Sequence, residues 1–182
     1  MEEVQQFEIG PESFTELVKR HQAMVFGIAV HSLRNGAAAE DISQDVFLEL
    51  YRNLDRIENE KHLTYWLRQV TSRKCIDYIR WRRLRPFHTL EDVSEPVAAE
   101  KAADPLASRQ LRQLVATLPA RMRLAVILRY QEEMEFSEIA ASFGSTSGAV
   151  RSLVHRGLEM LREKMSRKGL TEAKMRQAGA ME

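Results

Sequence analysis

The sequence predicts an all-α protein of two small helical domains joined by an extended linker, with a helix-turn-helix as the C-terminal domain. Apolar residues recur at helical spacing along most of the chain, and no segment alternates apolar and polar residues as a strand does. Residues 86–105 lack periodicity and contain three prolines. The length of 182 residues is compatible with two small domains.

The composition excludes several classes of protein. Hydrophobic residues make up 44% and charged residues 29%, as in an ordinary soluble globular protein. The chain has no apolar run of the ~18 residues that a membrane span needs, and its acidic start is unlike a secretory signal. Cys75 is the only cysteine, which excludes an internal disulfide and a multi-thiolate zinc site. We expect a cytoplasmic protein without membrane insertion, in which Cys75 serves packing.

The net charge of +1 conceals a strong segregation of charge. Residues 66–85 contain seven basic residues and one acid, whereas residues 91–104 contain five acids and one base. Such segregation indicates separate surfaces with separate partners.

The N-terminal part begins with two predicted helices. Ser13 followed by Glu16 is a capping-box pattern, so the first helix should begin there and end at Gly36. The second should extend from about Ala38 to Leu54, with acidic residues in its first turn and an apolar face turned inward.

A third helical segment, at about 62–83, is less regular. Its apolar residues do not share one face, which predicts a bend or a short loop near residues 72–74. The aperiodic, acidic segment that follows is typical of an extended linker.

The C-terminal part is predicted to contain four helices and a polar tail. The first ends near Leu118, and the others cover Pro119–Tyr130, Ser137–Phe143 and Ser147–Met165. The predicted domain boundaries are 1–85, a linker at 86–107, 108–168 and a tail at 169–182.

The segment FSEIAASFGSTSGAVRSLVHRGLEMLREKM has the pattern of a helix-turn-helix. Ala140 is the small residue where the helices cross, and Gly144 is in the turn. In the second helix the apolar residues fall within about a 140° arc, opposite arginines and small polar residues. A merely solvated face would have a similar composition, but the turn and the filled apolar positions together favour DNA contact.

Arginines on that exposed face suit bidentate pairing with guanine in the major groove, and the helix N-terminus offers N–H groups to a phosphate. The candidate DNA contacts are Ser145, Thr146, Arg151, Ser152, His155 and Arg156.

Two features of the N-terminal part also point to partners. AEDISQDVFLELYRNL (39–54) is a helix with acids and Gln44 on its exposed face. HLTYWLRQVTSRKCIDYIRWRRLR (62–85) interleaves aromatic residues with arginines. This mixture suits single-stranded nucleic acid, because bases stack on rings while phosphates meet cations.

In the order and spacing of these motifs, the chain resembles an extracytoplasmic-function sigma factor of the bacterial sigma-70 family over roughly residues 14–165, the linker excluded. EDISQDVFL resembles the helix that docks on the clamp coiled coil of the polymerase β′ subunit. WLRQVTSRKCIDYIRWRR resembles the −10 region and the helix-turn-helix the −35 region.

The resemblance implies a transcription initiation factor that is not an enzyme and uses no cofactor and no small-molecule substrate. Its implied partners are core RNA polymerase (the β′ and β subunits), promoter DNA and an anti-sigma factor. In the family, the acidic linker follows the RNA exit path.

The resemblance also implies roles for single residues. Core-polymerase contacts are implied for Asp41, Gln44, Asp45, Phe47 and Leu48. Contacts with −10 DNA are implied for Arg73, Lys74, Arg80, Arg82 and Arg83, and contacts with the −35 element for the six helix-turn-helix residues named above. Trp66 and Leu67 match the family's WL pair, which we expect to pack in the core. Arg73 departs from the asparagine of many members, so their −10 base preference does not transfer.

Two other classes of function explain the sequence less completely. A helix-turn-helix regulator that acts without polymerase explains the C-terminal domain, but leaves the acidic helix and the basic-aromatic segment without a role. An enzyme is disfavoured because the five histidines are scattered without paired ligand spacing. Asp41 and Asp45, four residues apart, are the nearest approach to a metal site, and such pairs are far more often solvated or partner-binding.

Overall fold

A computed structural model describes residues 11–84 and 105–167, with side-chain surroundings for 14–84 and 109–167. Within these residues every regular element is helical, and none is a strand. The all-α prediction is confirmed. The described helices form two compact units.

The helices are numbered in chain order. The first unit contains α1 (Pro11–Leu33), α2 (Gly36–Tyr51), a 3-10 helix (Leu54–Arg56) and α3 (Glu60–Leu84). The second contains α4 (Pro105–Ala116), α5 (Ala120–Tyr130), α6 (Phe136–Phe143) and α7 (Ser147–Arg167).

The predicted linker lies outside the described residues except at its end, where α4 already begins at Pro105. A proline is well suited to the first turn of a helix because that turn leaves its N–H groups unpaired. The predicted tail at 169–182 also lies outside the described residues. The exact domain boundaries therefore stay predictions.

α1 begins earlier than the sequence pattern predicts. The helix already includes Pro11, so Ser13 lies inside its first turn and the predicted capping box of Ser13 and Glu16 is wrong. Pro11 explains the earlier start, since its ring presets a helical φ and it has no N–H to satisfy.

The turn between α1 and α2 consists of only two residues, Arg34 and Asn35. Arg34 adopts the left-handed conformation with φ 58° directly after the end of α1. Oδ1 of Asn35 accepts a hydrogen bond of 2.9 Å from the N–H of Ala38 and so caps α2. Gly36 is the first residue of α2, and the prediction that it ends α1 is wrong.

α3 is one continuous helix of 25 residues, so the bend predicted near residues 72–74 is wrong. Two buried hydroxyls in this region bond to the helix's own backbone. Oγ1 of Thr71 donates to the carbonyl of Leu67 at 2.7 Å, and Oγ of Ser72 donates to the carbonyl of Arg68 at 2.6 Å. The middle of α3 packs against both α1 and α2 and is buried on several sides. The bend was predicted because only the positions of apolar side chains were considered, whereas polar side chains are buried in the middle of α3 as well.

In the second unit, α6 and α7 form the predicted helix-turn-helix. Gly144 lies between them in the left-handed conformation, with φ 55° and ψ 50°. The N–H of Ser145 donates to the carbonyl of Ala140 at 3.0 Å and closes the turn. Ala140, the small residue predicted at the helix crossing, is buried, and so is Phe143 at the end of α6.

α7 crosses α5 at close range at Gly157. A Cβ at this position would lie 3.0 Å from Cγ of Met122 and 3.0 Å from Cγ2 of Val126. α5 is buried along residues 122–128 and forms the centre of the unit. The contact at Gly157 therefore fixes the rotation of α7 about its axis, and with it the face that α7 exposes.

Buried Arg123 ties α5 to the end of α4. Its Nη1 donates to the carbonyls of Ala116 at 2.8 Å and Leu118 at 3.2 Å. These carbonyls belong to the helix end and the turn beyond it, where backbone acceptors need partners from outside the helix.

Candidate nucleic-acid and partner interfaces

α2 presents one exposed stripe of acidic, polar and apolar side chains. At 100° per residue its members fall within about a 120° arc over about 15 Å of helix. The stripe, called the α2 stripe below, consists of the exposed residues Asp41, Gln44, Asp45, Leu48 and Tyr51. Four of the five residues predicted to contact a polymerase partner lie in it.

Two large apolar groups make the α2 stripe a candidate interface. The exposed fraction is 55% for Leu48 and 62% for Tyr51, and the ring of Tyr51 packs edge-on against Phe14 with centroids 5.2 Å apart. Exposed apolar groups flanked by carboxylates suit a partner with a basic surface. Tyr51 was missed by the sequence analysis, although its spacing of three residues from Leu48 is a usable signal. Phe47 is half-buried and lies outside the arc.

The five basic residues predicted to contact −10 DNA do not share one face of α3. Arg73 and Arg80 are exposed and, being seven residues apart, lie almost above one another. Arg83 is exposed about 60–80° away from this pair, whereas Arg82 is half-buried and points to the opposite side. Arg73 and Arg80 therefore form the clearest basic ridge on α3. A guanidinium nitrogen of Arg80 lies 3.4 Å from Oδ1 of Asp77, but the Arg80 side chain is still 54% exposed.

Lys74 lies on the α2 side of α3. Its Nζ atom is 3.1 Å from Oε2 of Glu49 and 3.6 Å from Oδ2 of Asp45. The side chain is only 27% exposed, whereas that of Asp45 is 64% exposed. The structure thus brings a predicted −10 residue together with a predicted polymerase-binding residue.

Two aromatic rings lie near the C-terminal end of α3, where Trp81 is exposed and Tyr78 is half-buried. The ring centroids of Tyr78 and Trp81 are 5.9 Å apart, and Trp81 is 45% exposed. Rings beside arginines provide stacking surfaces for unpaired bases. Of the predicted WL pair, Leu67 is fully buried and Trp66 half-buried, so at least Leu67 packs in the core as expected.

α7 exposes the face that the helical projection predicts. Val150, Val154, Gly157 and Leu161 are buried against the unit. The opposite face carries the exposed residues Arg151, Ser152, His155 and Arg156. An exposed helix face with arginines and small polar side chains can enter a major groove.

The start of α7 is built from the turn residues. Oγ1 of Thr146 accepts a hydrogen bond of 3.2 Å from the N–H of Ala149, so Thr146 caps the helix. Thr146 is exposed and Ser145 half-buried. The positive end of the helix dipole therefore lies beside two hydroxyl groups, a suitable arrangement for a phosphate.

Contacts within the domain orient the exposed side chains of α7. Nε of Arg156 donates to the carbonyl of Ser152 at 3.4 Å, and Nδ1 of His155 lies 3.6 Å from Oε2 of Glu159. Arg151 is held from another helix, because its guanidinium lies over the ring of Phe136, 5.3 Å from the centroid.

Other kinds of site find little support in the described residues. No group of three or more His, Cys, Asp or Glu side chains there has metal-binding geometry. No helix in the described part of the chain is long and apolar enough to cross a membrane. Cys75 is fully buried, and burial raises the pKa of its thiol from 9.0 to about 12.

Two protein-family models match the chain. Residues 17–85 match sigma-70 region 2 and residues 108–161 match sigma-70 region 4. The first match covers most of the unit formed by α1–α3, and the second covers most of the unit formed by α4–α7.

Curated proteins and a solved structure are also similar to the chain. The RNA polymerase sigma factor CarQ of Myxococcus xanthus is 35% identical over 84% of this chain and 88% of its own length. The sigma factor SigW of Bacillus subtilis is 26% identical over 85% of this chain and 89% of its own. The sigma factor RpoE of Bartonella quintana, solved with the anti-sigma factor NepR, has a TM-score of 0.64 at 22% identity, covering 85% of this chain and 98% of that one.

Proposed function

Because the chain belongs to the sigma-70 family, as an RNA polymerase sigma factor of the extracytoplasmic-function type, we propose that its three exposed surfaces bind core polymerase, −10 DNA and −35 DNA. The α2 stripe binds core polymerase, α3 binds the −10 element and α7 binds the −35 element. The observation that carries this proposal is the α2 stripe, because a regulator that acts on DNA alone has no use for it.

The α2 stripe suits the β′ subunit of the polymerase. Leu48 and Tyr51 supply the apolar contact, and the carboxylates of Asp41 and Asp45 select a basic partner surface. Apolar groups at the centre of an interface contribute most of the affinity, while surrounding charges guide association and orientation.

α3 suits DNA whose strands have separated. Arg73 and Arg80 meet phosphates along one ridge, and Arg83 extends the charge toward the end of the helix. Tyr78 and Trp81 offer rings on which unpaired bases stack. Lys74 and Arg82 contribute less. The side chain of Lys74 is only 27% exposed and is engaged with two carboxylates, and Arg82 is half-buried.

α7 suits duplex DNA. Arg151, Ser152, His155 and Arg156 lie on the exposed face that enters the major groove. Ser145 and Thr146 at the helix start meet a phosphate. Base contacts by arginine discriminate by about 1–3 kcal/mol each, whereas phosphate contacts supply affinity that falls with salt.

The proposed mechanism contains no chemical step in this chain, and no cofactor or small-molecule substrate takes part. The chain positions core polymerase by holding two promoter elements at once, and tethering makes two weak contacts act as one strong one. It acts in the cytoplasm, where the polymerase is, and an anti-sigma factor regulates it by covering its surfaces.

Binding to core polymerase tests the proposal. We expect Asp41→Lys and Leu48→Ser to weaken core binding tenfold or more, equivalent to about 1.4 kcal/mol or more. Asp55→Lys is the matched control, since Asp55 is also exposed but lies outside the α2 stripe. Transcription from genomic DNA fragments with added core polymerase should require the wild-type chain and fail with the stripe variants.

Two results would overturn the proposal. One is unchanged core binding by both stripe variants. The other is tight, sequence-specific binding of a duplex by the chain alone with no transcript in the presence of core, which would identify a regulator that acts without polymerase.

A further inference from the structure

The aromatic ring of Phe136, the first residue of α6, holds two guanidinium groups. Cζ of Arg129 lies 5.0 Å from the ring centroid and Cζ of Arg151 lies 5.3 Å from it. We propose that Phe136 is a positioning residue, which orients Arg151 for base recognition in the −35 major groove without touching DNA itself. This inference rests on the proposed role of α7.

The ring has a fixed position because the start of α6 is fixed. The N–H of Glu135 donates to Oε2 of Glu138 at 2.6 Å as part of a capping box. Phe136 follows directly and is half-buried. A ring with two rotatable bonds on a capped helix start is a rigid platform.

Arg129 strengthens the platform from α5. Its Nη1 donates to the carbonyl of Met134 at 3.0 Å and to Oε1 of Glu135 at 3.1 Å. The carboxylate of Glu135 offsets the charge of Arg129, so a second guanidinium is tolerated at the same ring. The turn between α5 and α6 is thus connected, through Phe136, to Arg151 on α7.

Arg151 is the residue whose side chain the ring of Phe136 orients. It is the fifth residue of α7 and lies near the N-terminal end of the helix, the part of a recognition helix that contacts base edges. An exposed arginine loses much rotational freedom when it pairs with a base. The ring of Phe136 restricts that freedom before DNA arrives, which lowers the entropic cost of binding.

Phe136→Leu tests the idea because leucine keeps an apolar side chain and removes the aromatic face. Phe136→Tyr is the matched control, since tyrosine keeps that face. Each variant is tested alone and combined with Arg151→Ala, in complex with core polymerase. The probe is a promoter duplex selected from randomised DNA by the wild-type complex, together with its single-base variants in the −35 region.

We expect Phe136→Leu to weaken binding of the selected duplex by about two- to fivefold, the range of an exposed cation–π contact. It should also reduce discrimination at the base that Arg151 contacts, while Phe136→Tyr stays near wild type. In the Arg151→Ala background, Phe136→Leu should have no further effect.

The double-mutant cycle also separates the proposed contact from a general destabilisation of the domain by Phe136→Leu. Any general weakening of the fold by Phe136→Leu is present in both backgrounds and cancels from the coupling. Phe136→Met, a second apolar replacement without a ring, should repeat the result of Phe136→Leu.

Two failures are distinguishable. If Arg151→Ala leaves binding and discrimination unchanged, the proposed role of α7 fails at that residue. If Arg151→Ala weakens binding but Phe136→Leu either has no effect or has the same effect in both backgrounds, Phe136 does not position Arg151 and this inference is overturned.

Discussion

The Nζ atom of Lys74 lies 3.1 Å from Oε2 of Glu49, so a cation predicted to bind DNA is paired with the helix that carries the α2 stripe. Arg73, its neighbour in the chain, points outward instead. Adjacent basic residues on a helix differ by about 100° in direction, and here this difference separates an ion pair within the domain from a solvent-facing charge.

The two residues should therefore differ in the salt dependence of promoter binding. We expect Arg73→Gln to reduce the slope of log K against log salt by about 0.7–0.9, the value for one lost phosphate contact. Lys74→Gln should change the slope by much less, because its charge is already compensated. Titrations of the polymerase complex with a forked promoter DNA over a salt series measure both slopes; equal reductions would show that Lys74 leaves its carboxylates when DNA binds.

The contact between His21 and Glu60 joins α1 to the start of α3. Nε2 of His21 lies 3.0 Å from Oε1 of Glu60, and His21 is only 7% exposed. We expect Glu60→Ala to lower the free energy of unfolding by about 1 kcal/mol or more, because it removes the partner of a buried ring nitrogen. Glu60→Gln keeps an acceptor and should lose less. Denaturant titration measures the difference, and Glu58→Ala, at an exposed site nearby, should stay close to wild type.

The close crossing of α5 and α7 makes Gly157 intolerant of a side chain. We expect Gly157→Val to lower the free energy of unfolding by about 1–3 kcal/mol through overpacking against Met122 and Val126. The same substitution at Gly148 should change it by about 0.5 kcal/mol or less, because no atom lies within 4 Å of a Cβ there. Thermal and denaturant unfolding of the two variants test the pair, and similar losses at both sites would contradict the prediction.

The buried thiol of Cys75 should be unreactive in the folded protein. Burial raises its pKa to about 12, so the nucleophilic thiolate is absent near neutral pH. We expect slow labelling by a disulfide reagent at pH 8 and rapid labelling after unfolding. Fast labelling of the folded chain would contradict the burial of the Cys75 thiol.

The same pKa shift predicts a loss of stability in alkali. The unfolded thiol ionises around pH 9, whereas the folded thiol keeps its proton until about pH 12. Between these values the folded state binds more protons, so the free energy of unfolding falls as the pH rises. Cys75→Ala should show a shallower decline over this range than the wild-type chain in denaturant titrations; an equal slope would mean that other groups cause it.

Much of the fold follows from helical periodicity. The positions of α6 and α7, the turn at Gly144 and the exposed face of α7 were predictable because apolar spacing and turn chemistry agree there. The bend in α3 was wrongly predicted because Thr71 and Ser72 are buried polar residues, which an apolar pattern does not detect. The predicted start of α1 at Ser13 and its predicted end at Gly36 were also wrong, because each depends on a choice between neighbouring residues that both suit a helix end.

The sequence predicted which segments form the candidate interfaces of α2 and α3, but not which faces of these helices are exposed. The pattern identified the residues of α2 that form most of the stripe, yet it did not separate Lys74 from Arg73 or identify Tyr51. Such distinctions depend on which helix packs against which side of α3. The contact between the guanidinium of Arg151 and the ring of Phe136 could not be predicted from the sequence either, because the two residues belong to different helices.

Because α3 is continuous, the direction in which its basic ridge points depends on the number of residues between the ridge and the start of the helix. An extra residue inserted after Ser72 would rotate everything beyond it by about 100° and advance it by about 1.5 Å. Arg73 and Arg80 would then turn away together, while the contact between His21 and Glu60 at the other end stayed in place. A loop at that point would have absorbed the insertion. In the unbroken helix, substitutions at its surface leave the angle between the residues at its two ends unchanged, whereas an insertion changes that angle.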